Sequence, residues 1–349
     1  MMKRKLLALT ALSTATLFAL AGCSTPGNTD AKAKDSTTTE VLTAFYPLEF
    51  LTTSIGGKHV KVTSMAPAGA GAHGMELSAN MVAKMSDASA IVYLSGFQAS
   101  VDEAIAQVKP TNAVDVKEAV QLLTFGEIDS ANEQAHDHDQ EDHDHEGHDH
   151  AHGDEHADEE HEEHEEHAGH AHTHAPGDTD PHFWLDPSRM AKAVTPIKEA
   201  LIKVDPANKA DYEANAKDIE EKLSKLYDSF KTGLATCAKP TAIVSHKAYG
   251  YLSSQFGFTQ VGMAGFDPEQ EATPNQIAEV GKIAEAQGVK VIFTEDLINS
   301  KTADQLAKDL GIRSEILDPV ESQANTAKDY IAVMTDNLTK LSSAMECTK

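Results

Sequence analysis

Asp180-Pro181-His182-Phe183-Trp184-Leu185-Asp186-Pro187 is the stretch whose reading decides this chain. It carries the only tryptophan in 349 residues and one of just four histidines outside a long histidine tract. Two prolines bracket the aromatic pair, so the stretch reads as a tight loop and not as a regular element. A histidine held between proline-punctuated turns is a candidate metal ligand.

Downstream, residues 188–204 have a helical pattern interrupted by Pro196. Asp205-Pro206 restarts a helix at its first turn. Ile219, Leu223, Leu226 and Phe230 then recur at helical spacing through about 207–234. A helix of that length would form a strut between two bodies. Beyond it, strand patterns at 241–245, 259–263, 289–294 and 314–317 alternate with helical ones at 249–255, 275–287, 302–309 and 326–343. Upstream, a strand opens at Val41 and others fall at 60–65, 90–94 and 112–116, with helices at 48–55, 78–86 and 101–107. Strands alternating with helices predict parallel α/β sheets.

From His136 to His174 the chain has 14 histidines and 16 acids, no Lys or Arg, and no apolar residue larger than Ala. Such a composition has nothing to build a core from, so residues 131–179 are predicted to be a disordered loop. Imidazoles at this density bind zinc weakly, and the tract is expected to collect ions for a tighter site. Its acids account for most of the formal net charge of −26, leaving −10 elsewhere. An acidic surface excludes nucleic acid as a partner.

At the N-terminus, Lys3, Arg4 and Lys5 precede an apolar run from Leu6 to Leu20 that is too short for a secure membrane span. Leu20-Ala21-Gly22-Cys23 resembles a bacterial lipobox, which predicts a signal segment over 1–22 and acylation of Cys23. Residues 23–39 then form a flexible tether. Cys237 and Cys347 remain. In an exported protein an even pair predicts one disulfide, against the alternative of two free thiols.

Three of the four histidines outside the tract stand where ligands gather. His73 lies in the glycine-rich loop after a strand, His182 in the proline-bracketed loop, and His246 at the end of the strand A-I-V-S-H. Three imidazoles from separate loops can bind Zn²⁺ at about 2.0–2.1 Å with a fourth position for water or a carboxylate. His59, in a turn after Gly-Gly-Lys, reads as a surface residue. Zinc affinity should fall as acid protonates the ligands, near about 6.5 for a free imidazole and lower once metal competes.

Several of these segments together resemble the metal-binding lipoproteins of bacterial zinc and manganese ABC importers, above all the zinc branch. T-A-F-Y-P-L-E-F-L resembles the family's first strand and turn. P-A-G-A-G-A-H-G-M-E-L-S, D-P-H-F-W-L-D-P and I-V-S-H-K-A-Y-G-Y-L resemble its three ligand motifs, placing His73, His182 and His246. V-I-F-T-E and L-D-P follow in order. The resemblance implies two α/β lobes with parallel sheets, joined by a long rigid helix, with the metal in the cleft between them. It divides the chain into an N-terminal lobe at 40–130 that is completed by 180–206, a linker helix at 207–234 and a C-terminal lobe at 235–349. It also implies an extracytoplasmic, monomeric, lipid-anchored binding protein, not an enzyme. Zn²⁺ would be its transported ligand, and a membrane permease with its ATPase would be its partners.

Departures from the family pattern bear on the metal. Gly71-Ala72 stands where many relatives have Glu-Pro, and His246 stands where manganese-type relatives carry a carboxylate. Nitrogen in place of oxygen favours zinc over manganese. The family's fourth ligand aligns with Lys328, which leaves water, the adjacent Asp329 or another acid for that position. Manganese or iron is the alternative cargo. An adhesin or a metalloenzyme on the same fold is the alternative role.

Overall fold

The computed structural model describes residues 38–134 and 178–348, apart from Ala68, Phe266, Asp267, Glu269 and residues 297–299. The expected signal segment, Cys23, most of the tether and residues 135–177 of the expected loop, with the whole histidine tract, lie outside the described residues.

The first strand, β1 (Thr39–Thr43), leads through Phe45 into α1 (Tyr46–Gly56), where Pro47 occupies the first turn and loses no hydrogen bond. A Cβ on Gly56 would lie 2.0 Å from Val60 Cγ2, so only glycine lets the chain double back into β2 (Val60–Ser64). After a long loop come α2 (Ala79–Asp87), β3 (Ala90–Tyr93), α3 (Ala99–Val108) and β4 (Ala113–Asp115). The four strands pair in parallel in the order β2-β1-β3-β4. Two further helices follow, α4 (Lys117–Val120) and α5 (Phe125–Gln134). The latter has no counterpart in the sequence reading, although Thr124 and Glu127 bond each other's backbone N–H groups across its first turn.

Beyond the proline-bracketed loop, α6 (Pro187–Lys192) and α7 (Val194–Val204) replace the single helical stretch read around Pro196. The strut is α8 (Lys209–Gly233), 25 residues and so about 37 Å long. Tyr212, Ala216, Ile219, Leu223, Leu226 and Phe230 bury one face of it against α1, α6 and α7. The second lobe repeats the first: β5 (Thr241–Val244), α9 (Gly250–Phe256), β6 (Thr259–Gly262), α10 (Pro274–Ala286), β7 (Val291–Thr294), α11 (Lys301–Asp309) and β8 (Arg313–Ile316). Its sheet is parallel with order β6-β5-β7-β8. Ile243, Met263, Val280, Ile292 and Leu306 give this lobe a separate small core.

The last helix, α12 (Tyr330–Ala344), returns to pack on α8. Tyr330 stacks on Phe50 of α1 at 5.2 Å. The sulfurs of Cys237 and Cys347 are 1.96 Å apart and join the end of α12 to the segment after α8. In both sheets the order reverses beside the first strand of the lobe, and at such a switch point crossovers leave a crevice at the carboxyl ends of the strands. Among the described residues, no helix is long and apolar enough to cross a membrane.

Candidate metal centre

His246 follows β5 by two residues and Glu295 follows β7 directly, so the two flank the switch point of the second sheet. His246 is fully buried, and its Nδ1 lies 2.6 Å from Glu295 Oε1. Ser245 Oγ donates a hydrogen bond to the same carboxylate oxygen. His182 is also fully buried, and it caps the 3₁₀ turn Phe183–Leu185. Asp180 Oδ1 accepts from both the His182 backbone N–H at 2.8 Å and the ring Nδ1 at 2.7 Å. Tyr251 holds Asp180 in turn, donating its hydroxyl to the Asp180 carbonyl at 2.7 Å. His73 comes from the loop after β2. That loop has no regular structure, and two side chains from the start of α3 clamp it: Gln98 donates to Ala72 O at 3.0 Å and Ser100 to Met75 O at 2.6 Å. The His73 ring stands edge-on to Phe97, with centroids 4.9 Å apart.

These three imidazoles converge, and a fourth group joins them. Glu321 Oε1 lies 3.2 Å from His73 Nε2, 3.3 Å from His182 Nε2 and 3.4 Å from His246 Nε2. His73 Nε2 and His182 Nε2 are 3.1 Å apart, and all four donor atoms lie within 4.8 Å of one another. Four ligands at about 2.0–2.1 Å from one ion would stand about 3.3–3.4 Å apart along the edges of a tetrahedron. His246 Nε2 is buried and has no hydrogen bond, since its 3.4 Å approach to Glu321 is not aligned for one. A buried ring nitrogen without a partner, three imidazoles and one carboxylate together fit a divalent ion.

Electrostatics tie the four together. Burial works against a charged His246, but the Glu295 carboxylate beside it prevails and, with Glu321, pushes the imidazole up to about 10. Burial likewise opposes charge on His182, and Asp180 followed by Glu321 moves it above its ordinary value. For Glu321, burial alone would raise the carboxyl, yet the His73 imidazole and the rings of His182 and His246 facing it hold it well below the usual range. An imidazole whose Nδ1–H points at a carboxylate is both fixed in orientation and more basic at Nε2.

Glu321 is the residue that sequence reasoning missed. It stands two positions after the L-D-P segment, on a turn that sequence alone does not orient. Asp318 Oδ1 accepts from Val320 N at 2.7 Å, and Asn337 Nδ2 donates to Asp318 O at 2.7 Å. Val320 is buried with φ of 59°, a left-handed conformation that β-branched residues rarely adopt, immediately before the acid it aims. Asp329 does not reach the site: its side chain caps α12 by accepting from Ala332 N at 2.9 Å. Lys328 is exposed and pairs with Asp336. His59, read as a surface residue, is half-buried instead, with Nε2 2.6 Å from Asp211 Oδ2 on α8.

Comparison with known proteins places this geometry. Residues 41–344 match the family model described as zinc-uptake complex component A, periplasmic. The chain is 31% identical over 346 residues to the high-affinity zinc uptake system protein ZnuA of Bacillus subtilis, covering 94% of this chain and 97% of that one. It is 29% identical over 307 residues to the zinc-binding protein AdcA of Streptococcus pyogenes, covering 86% of this chain but only 55% of AdcA. It therefore spans about half the length of that relative. Among solved structures, the laminin-binding protein Lmb of Streptococcus agalactiae superposes with a TM-score of 0.68 at 26% identity, covering 88% of this chain and 99% of that one. Lmb is described as bifunctional, with adhesin and metal-transporting activity.

Proposed function

Because this chain belongs to the zinc-uptake complex component A family, we propose that it captures Zn²⁺ outside the cytoplasm and delivers it to the permease of an ATP-driven importer. His73, His182, His246 and Glu321 are the proposed ligands. The observation that carries the reading is the convergence of their four donor atoms, from four separate segments, at spacings that suit a tetrahedral ion. Three nitrogens and one oxygen support zinc over manganese, which prefers oxygen ligands.

The reading extends to the rest of the chain. Glu321 fills the position that a catalytic zinc site would leave to water, which supports a carrier and not a hydrolase. The lobe limits given above, a lipid anchor at Cys23 and a monomeric state belong to the same proposal. A competition titration with Zn²⁺ and Mn²⁺ tests it. Beyond weak binding by the tract, one tight zinc equivalent that His182→Ala removes and manganese does not displace is the expected result. Tight manganese binding with displacement of zinc would overturn it.

A further inference from the structure

Tyr251 of α9 is buried, and its hydroxyl works in both directions. It donates to the Asp180 carbonyl at 2.7 Å and accepts from the Leu123 backbone N–H at 2.8 Å. Leu123 O accepts in turn from Asp180 N at 2.9 Å, so one phenol closes a triangle of hydrogen bonds at the base of the His182 loop. Tyr251 stands in the second lobe, and both of its partners lie before α8, outside that lobe. The Arg189 guanidinium carbon lies 5.0 Å from the centre of the Tyr251 ring.

Asp180 reaches its ligand through one oxygen. Oδ1 accepts from the backbone N–H and the ring Nδ1 of His182, while Oδ2 is buried with no hydrogen-bond partner. Among the described residues no donor besides His182 holds this carboxylate, so its place is set by its own backbone. Tyr251 fixes that backbone at the carbonyl and Leu123 at the N–H. Gly250 lets α9 come close on the side of the free oxygen: a Cβ there would lie 3.0 Å from Asp180 Oδ2 and 2.8 Å from Ile128 Cγ2. His246 is held differently. Its carboxylate partner Glu295 is bonded by Ser245, so all three groups belong to the second lobe. We infer that Tyr251 is a positioning residue for zinc: acting through Asp180, it aims the His182 imidazole from the opposite lobe and makes this ligand depend on contact between the lobes. The inference rests on the zinc-capture reading. A movement that parted α9 from the His182 loop would free Asp180 first and weaken the hold on zinc before any ligand was displaced.

Proton NMR of the ring N–H groups, on the zinc-loaded full mature chain with isotope-labelled histidine, tests it beside a zinc competition assay. The Nδ1 protons of His182 and His246 face buried carboxylates, and Asp180→Asn identifies the first by moving it. Tyr251→Phe keeps the ring and its contact with Arg189 and removes only the hydroxyl. It should weaken zinc binding about tenfold, mostly through faster release to a chelator. It should also shift the His182 proton and leave that of His246 in place, a difference that general loosening of the fold would not produce. Gly250→Ala, which crowds the other oxygen of the same carboxylate, is the second variant and should shift the same proton. A His182 proton unmoved in both variants would make Tyr251 a packing residue and overturn the inference. Zinc affinity of Tyr251→Phe within about twofold of the parent would overturn it as well, leaving zinc capture intact. A parent chain without a tight zinc site would overturn the capture reading, and the inference with it.

Discussion

Trp184 and Pro319 are joined by a hydrogen bond, the indole Nε1–H donating to the carbonyl oxygen at 2.8 Å. Each stands two residues from a proposed ligand, Trp184 after His182 and Pro319 before Glu321. The bond therefore couples a ligand loop of one lobe to the ligand turn of the other. Tyr330, at the start of α12, donates to the Trp184 carbonyl on the other side of the same residue. Replacing Trp184 with Phe keeps most of the aromatic packing but leaves the Pro319 carbonyl without its donor. The expected cost is about 1–3 kcal/mol in stability, read as a lower midpoint in denaturant. Zinc should also bind more weakly, because the turn that aims Glu321 loses its brace. Unchanged zinc affinity in a folded Trp184→Phe variant would break the proposed coupling.

Asp180 and Glu295 touch no ion under this reading, yet each fixes the tautomer and direction of a ligand imidazole. Asp180→Asn and Glu295→Gln keep the side-chain shape and remove the charge. Partners of this kind typically contribute 10–100-fold to metal affinity. Each variant should therefore lose about that factor in a zinc competition assay while retaining the metal-free fold. A loss below about twofold in both would assign them a packing role only.

The fold was legible because its signals are local. The spacing of Ile219, Leu223, Leu226 and Phe230 reports the buried face of α8 within one helix. The short apolar runs that became β3, β5 and β7 are buried as central parallel strands must be. Three misreadings have physical reasons. The capping pair Thr124 and Glu127 was overlooked because the polar helix α5 lacks an apolar stripe. The final helix begins at Tyr330 and not at Thr326, because Asp329 caps it while Asn325 bonds Ala327 N in a preceding turn. Glu321 was illegible because its direction is set by Asp318, Asn337 and Trp184, contacts that no spacing rule contains.

Protons compete with the metal over a higher pH range than free imidazole implies. Sequence alone places that competition near about 6.5 for a free imidazole and lower once metal competes. In the structure Glu295 pushes His246 up to about 10, and Asp180 moves His182 upward as well. A histidine whose folded value is raised stabilises the metal-free protein fully below its unfolded value, and that contribution is lost as pH climbs through the folded one. Metal-free protein should therefore lose stability between about pH 6.5 and 10. Glu321 acts in the opposite sense: its contribution is present above the ordinary carboxylate range and lost on acidification. Zinc must displace the imidazole protons, so affinity should still be rising from pH 7 to 9, by about tenfold per unit for each proton released. Calorimetry in buffers of different ionisation enthalpy would count those protons. Affinity that is flat above pH 7 would show that the histidines are already neutral there.

Cys237 and Cys347, 110 residues apart in sequence, close the second lobe into a loop. The chain-entropy model assigns a loop of that length about 4–5 kcal/mol, an upper figure because the unfolded chain retains structure. The bridge lies at the far end of α12 from Tyr330, and neither cysteine contributes to the metal cluster. Replacing both with Ser should therefore lower stability by roughly 2–5 kcal/mol while zinc affinity at 25 °C stays within about threefold. The neighbouring backbone pairs, Thr348 N to Thr236 O at 2.8 Å and Lys239 N to Met345 O at 3.0 Å, should keep α12 docked in the variant. Denaturant midpoints with and without a reductant provide the check. A parent protein that is insensitive to reductant, with a midpoint equal to that of the double-Ser variant, would mean that the two sulfurs do not form a bond in solution.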